Sequence, residues 1–99
     1  MIDVDTNGSI RTITLDRPEA RNAFTVDGLT ALETAVDDAD EPVVYLHGRG
    51  PAFSAGADLN AVGALEGDRD RAAEFARLGQ RVARAIEDTS AIVVAGIDG

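Results

Sequence analysis

A chain of 99 residues has room for one small domain, and with only four aromatic residues its core must be built mainly from Ala, Val, Ile and Leu. The absence of cysteine and the single histidine exclude a disulfide framework, a thiolate metal site and a His-rich metal site. The net charge of −9, with arginine as the only cation type, argues against nucleic-acid or anionic-membrane binding, since both demand basic patches.

The N-terminal stretch Met1-Ile2-Asp3-Val4-Asp5 lacks the basic and apolar regions of a signal peptide. No run approaches the roughly 18 apolar residues that cross a bilayer, so the expected compartment is the cytoplasm. An acidic, lysine-free surface suits concentrated salt, where self-repulsion is screened within about 3 Å at 1 M. An acidic protein from a GC-rich genome would show the same bias.

In chain order, Ser9 to Leu15 is rich in β-branched residues and reads as a strand, although both of its faces are mixed. Val4 and its neighbours supply a short partner strand, with Asn7-Gly8 as the hairpin signal. Pro18, following Asp16-Arg17, ends the ladder. A helix starts at Thr25 as N-cap with Asp27 in its first turn. Leu29, Leu32, Val36 and Ala39 form its apolar face, while Glu33, Asp37, Asp38 and Asp40 face water. Beyond Pro42, Val43 to Leu46 is a continuous apolar run, as expected of a strand buried on both faces.

A glycine-rich loop then runs from Gly48 to Gly56, and Asp58 is placed to cap a short helix reaching about Leu65. After Gly67-Asp68 a longer helix spans residues 69–88 with a stripe of Phe75, Leu78, Val82 and Ile86. The last strand covers Ala91 to Ala95. The order β-β-α-β-loop-α-α-β is that of an α/β fold, with the strands at 43–46 and 91–95 parallel neighbours joined by a helical crossover.

The loop at 48–58 leaves the carboxyl end of a parallel strand, where α/β sheets place ligands. The small residues at 54–57 allow close approach of the backbone, and Gly56 permits φ > 0. Such a loop can offer bare N–H groups to an oxyanion. From spacing alone, a plain strand-to-helix connection capped by Asp58 is the favoured reading.

Three segments weigh on that choice. Ala52-Phe53-Ser54-Ala55-Gly56-Ala57-Asp58-Leu59 resembles the thioester-gripping loop of the crotonase (enoyl-CoA hydratase/isomerase) superfamily. Leu15-Asp16-Arg17-Pro18-Glu19-Ala20-Arg21-Asn22-Ala23-Phe24 is similar to that family's early NRP-x-x-x-NA segment. Ala91 to Gly99 resembles the strand and turn before its second glycine-rich loop. The three stand in the family's order and spacing and cover nearly the whole chain. Two positions depart from the pattern: Thr89-Ser90-Ala91 replaces a basic residue or proline before the last strand, and Glu19 stands where relatives are often basic.

The resemblance implies a ClpP/crotonase-type fold of ββα units. Residues 1–99 would be its N-terminal part, incomplete at the C-terminus and ending before the second oxyanion loop and the acid–base glutamates. It implies that the backbone N–H of Ala57 is one of two donors to the thioester carbonyl oxygen, flanked by Ala55, Gly56 and Asp58. The main chain near Ala55 would touch the adenine of coenzyme A, and Ala20 and Arg21 would lie beside the nucleotide. Arg17 or Arg21 is placed for a phosphate, and Asp58 for helix capping. Glu33, Glu66, Glu74 and Glu87 read as solvating charges and His47 as a hydrogen-bonded structural residue. The implied activity is enoyl-CoA hydration, with isomerase, thioester hydrolase, decarboxylase and dehalogenase activities sharing this half. A truncated, non-catalytic chain with residual coenzyme A binding or a structural role is the alternative. The expected partner is an acyl-CoA thioester; no metal or other cofactor is implied, and the full-length parent would assemble as a trimer or hexamer.

Overall fold

The computed structural model describes residues 1–51, 53, 54, 56 and 69–96. Strand β1 (Ile2–Asn7) pairs antiparallel with β2 (Ile10–Leu15). Asn7 lies opposite Ile10, so the turn is Gly8-Ser9, one residue later than the Asn7-Gly8 signal suggests. Gly8, at φ +60°, takes the first central position, which in a two-residue hairpin turn favours glycine. A short 3-10 turn (Pro18–Ala20) leads to helix α1 (Val26–Asp37). Strand β3 (Val43–Gly48), helix α2 (Arg69–Asp88) and strand β4 (Ile92–Gly96) complete the described elements.

The sheet order is β1-β2-β3-β4, with β2, β3 and β4 mutually parallel. Each parallel pair is bridged by a helix, as parallel neighbours require. Thr25 caps α1 as expected, its side-chain oxygen accepting the Gly28 N–H at 3.0 Å. The helix has ended by Asp38, so Ala39 packs against the core from the following connection.

The register assigns the faces. Ile13, Leu46 and Ala95 lie side by side, as do Arg11, Val44 and Val93. On this face Ile13, Leu15, Val44 and Leu46 join Leu29, Leu32, Ala35 and Val36 of α1 and Leu78 and Val82 of α2 in one core. Arg11 is the charged exception on that face and explains the mixed pattern of its strand. Its guanidinium donates to Glu41 at 2.7 Å and to the Ala35 and Asp38 carbonyls at 3.4 and 3.3 Å, so a cation meets the carboxyl end of α1.

The other face corrects an expectation. Strand β3 is buried on one side only: Val44 is 1% exposed but Tyr45 is 37% exposed. Ile10, Ile92 and Val94 share the open side. The physical reason is that α1 and α2 both pack against the Ile13–Val44 face. A continuous apolar run marks a strand as interior to its sheet without saying how many layers cover it. On the open side His47 bonds Thr14 through Nε2 and Oγ1 at 2.9 Å and stacks on Tyr45 with ring centroids 5.1 Å apart, the structural role expected of it.

Candidate functional site

Because β2, β3 and β4 are parallel, their carboxyl ends meet at one edge of the sheet. The loops after β2 and β3 start there, where open α/β sheets bind ligands.

The loop after β2 is folded tightly on itself. Pro18 opens the 3-10 turn, a position where its missing N–H is not needed. The turn ends in two successive left-handed residues, Arg21 at φ +54° and Asn22 at φ +58°. Arg21 N–H reaches the Pro18 carbonyl at 3.1 Å and Asn22 N–H the Arg17 carbonyl at 2.8 Å. The Arg17 guanidinium donates to the Ala23 carbonyl at 3.0 Å, so it braces the loop from within.

The loop after β3 begins by extending the ladder, Arg49 N–H donating to the Leu15 carbonyl at 2.8 Å. The Arg49 side chain pairs with Asp16 at 2.5 Å and Asp3 at 3.5 Å, both in solvent, where such pairs contribute at most about 1 kcal/mol. Gly50, at φ +89°, passes so close to Pro18 that a Cβ would stand 3.0 Å from the proline Cβ. A side chain there would push the two loops apart. Gly56 has φ +91°, as the sequence anticipated, and its carbonyl accepts the Phe24 N–H at 2.6 Å.

Asn22 joins the loops. It is fully buried, its Oδ1 accepting the Arg17 N–H at 2.7 Å and its Nδ2 donating to the Arg49 carbonyl at 3.0 Å. The Asn22 carbonyl accepts the Ser54 hydroxyl at 2.8 Å, and Ser54 Oγ in turn accepts the Gly56 N–H at 3.1 Å.

The structure therefore brings Ala20, Arg21 and Gly56 to the same edge of the sheet. Ala20 is half-buried at the end of the 3-10 turn, and Arg21 is exposed. Ala55, Ala57 and Asp58 lie outside the described residues, as do the short helix expected to about Leu65 and Glu66. Glu74 and Glu87 are exposed on α2, in keeping with solvating charges. Glu33 is more than that: the Arg81 guanidinium grips its carboxylate through two bonds of 3.0 and 3.1 Å. Asn22 and Ser54 stood in the quoted motifs without a role. The legible signal was the residue type of Asn22, since asparagine is the side chain that most readily accepts a left-handed backbone.

A groove of 620 Å³ between α1 and α2, lined by Thr30, Phe75, Leu78, Arg77 and Arg81 among others, shares no residue with these loops. It lacks the glycine-rich backbone that a carbonyl-gripping site needs, so the loop edge is the better candidate. Among the described residues no group of three His, Cys, Asp or Glu side chains could hold a metal ion.

Parallel strands deliver two interlocked, glycine-bearing loops to one sheet edge, which makes this an α/β unit with one candidate ligand edge. The chain belongs to the enoyl-CoA hydratase/isomerase family, whose model matches residues 5–99. It is 36% identical over 90 residues to the crotonyl-CoA hydratase of Syntrophomonas wolfei, which covers 86% of this chain and 34% of that protein. It is 41% identical over 64 residues to enoyl-CoA hydratase domain-containing protein 3 of Danio rerio, covering 61% of this chain and 22% of that one. An enoyl-CoA hydratase/isomerase structure from Mycobacterium paratuberculosis superposes with a TM-score of 0.81 at 33% identity, over 99% of this chain and 41% of its own. The chain thus spans well under half the length of these relatives. The fold is the crotonase fold of these neighbours, represented in part.

Proposed function

We propose that these residues form the coenzyme A-binding and first oxyanion-donor part of an enzyme acting on acyl-CoA thioesters, with hydration of a 2-enoyl-CoA as the reaction. The observation that carries this reading is the pinning of the Arg17–Phe24 loop to the Arg49–Gly56 loop at the carboxyl ends of β2 and β3. Such a pair can hold the two ends of an elongated ligand, the nucleotide against one loop and the thioester against the other. The names of the relatives support the substrate class.

In this reading the Ala57 N–H donates to the thioester oxygen, which becomes enolate-like as water adds across the double bond. Donors fixed before reaction stabilise that charge without reorganising as it forms. Main chain at Ala55 and Gly56 would flank the acyl and adenine ends, and Asp58 would cap the following helix. Ala20 would lie against the nucleotide. Of the two arginines offered for phosphate, Arg21 is the better choice, because Arg17 spends its guanidinium on the Ala23 carbonyl. Coenzyme A enters as part of the substrate, and the reaction itself calls for proton transfer and carbonyl polarisation.

The 99 residues assayed alone should turn over crotonyl-CoA barely, if at all. The family's second oxyanion donor is worth about 10²–10³ in rate and its acid–base pair about 10²–10⁴. Binding is the sharper test. Titrating the chain with coenzyme A and with acetoacetyl-CoA should give saturable binding, weakened about threefold to tenfold by Arg21→Ala through one lost charge-assisted contact. Equal affinity in wild type and Arg21→Ala would remove Arg21 from the site. Absence of any binding by the folded chain would remove the function.

A further inference from the structure

We infer that Asn22 is a positioning residue, whose carboxamide sets the geometry of the glycine-rich loop from inside the protein. This deepens the acyl-CoA reading and rests on it.

Asn22 touches both loops at once. Its side chain holds the start of its own loop, at the Arg17 N–H, and the start of the opposite loop, at the Arg49 carbonyl. Its main-chain carbonyl holds Ser54, and Ser54 holds the Gly56 N–H. The Phe24 N–H, two residues on, closes the ring at the Gly56 carbonyl. A circuit of hydrogen bonds thus runs from residue 22 to 54, 56 and 24, with a second connection from 22 to 49. Gly56 is held by both its N–H and its C=O, so its peptide planes have little freedom to rotate.

The residue type follows from three demands made together. The backbone at φ +58° excludes β-branched residues and favours Asn, Asp or Gly. Burial requires every polar atom to be satisfied. The Arg49 carbonyl needs a donor where the Arg17 N–H needs an acceptor, and of Asn, Asp and Gly only the asparagine carboxamide offers both. Aspartate would keep the acceptor but turn a second anionic oxygen toward the Arg49 carbonyl. Glycine would keep the backbone conformation and lose both bonds.

The test uses Asn22→Gly and Asn22→Asp, with Ser54→Ala as a milder cut in the same circuit. Amide hydrogen exchange is read at Phe24 and Gly56 in the loops and at Ile13, Val44 and Leu46 in the sheet, alongside the affinity for coenzyme A. The expected result is exchange at Phe24 and Gly56 faster by about tenfold, the order of one net hydrogen bond, with sheet amides unchanged. Coenzyme A affinity falls by at least about tenfold, as misplaced binding groups predict. Equal acceleration in loops and sheet would make Asn22 a general stabiliser and overturn the inference, as would unchanged loop exchange. Ser54→Ala decides the matter if the Asn22 variants do not fold. Should wild type bind no coenzyme A, the acyl-CoA reading falls while the exchange pattern still decides the clamp.

Discussion

The Arg11 guanidinium and the Glu41 carboxylate are both largely covered, with about 15% of each side chain exposed. The hydrogen bond from Arg11 holds the Glu41 carboxyl below its usual pKa of 4.5, and the bond from Arg81 does the same for Glu33. For a carboxyl whose folded pKa lies below its unfolded one, the stabilisation is complete above the unfolded value and is lost as pH falls through the folded value. Both glutamates therefore favour the folded state above about pH 4.5 and stop doing so in acid. The double variant Glu33→Gln/Glu41→Gln should show a smaller fall in melting temperature between pH 5 and pH 3 than wild type. Identical slopes would mean that neither pair couples to folding. How much of this was legible differs by residue. Thr25 announced itself because an N-cap depends on neighbours three positions away, within reach of a local reading. The Asn22–Arg49, Arg11–Glu41 and Glu33–Arg81 bonds span 27 to 48 positions, and nothing local specifies partners that distant.

At the scale of the elements, the sequence carried most of the fold. Helix α2 and the strands β3 and β4 fell within one or two residues of their expected limits, because each is bounded by Gly, Pro or a break in apolar periodicity. The hairpin slipped by one residue, since Asn-Gly and Gly-Ser both suit a two-residue turn and the strand register decides between them. The covering of β3 was not legible, because it depends on which side the crossover helices take. That asymmetry is measurable. Leu46→Ala, on the covered face, should cost about 2–5 kcal/mol, whereas Ile92→Thr, 69% exposed on the open face, should change stability by no more than about 0.5 kcal/mol. Comparable losses at the two positions would mean that both faces are packed. Thr25→Ala should cost about 1 kcal/mol by releasing the first turn of α1.

For the molecule as a whole, charge is the dominant long-range term. Eighteen acidic residues face nine arginines, and five of those arginines lie on α2, at 69, 71, 77, 81 and 84. The rest of the surface is correspondingly negative. Raising salt weakens the surface Glu33–Arg81 and Asp16–Arg49 pairs. It also screens a net charge of −9, which acts across the entire surface. We expect the second effect to win, so that the melting temperature rises from low salt to 1 M sodium chloride. A flat or falling profile would speak for compositional bias and against adaptation to salt.

In the proposed function a thioester ligand sits across the two loops at the carboxyl ends of the parallel strands. The most direct measurement is the footprint of acetoacetyl-CoA on the backbone amides of the 99-residue chain, read by two-dimensional nitrogen–proton NMR. The largest shifts are expected on residues 17–24 and 49–58, with the amide of Ala57 among them. Shifts concentrated instead on Thr30, Phe75, Leu78 and Arg81 would move the ligand to the groove between α1 and α2 and contradict the account.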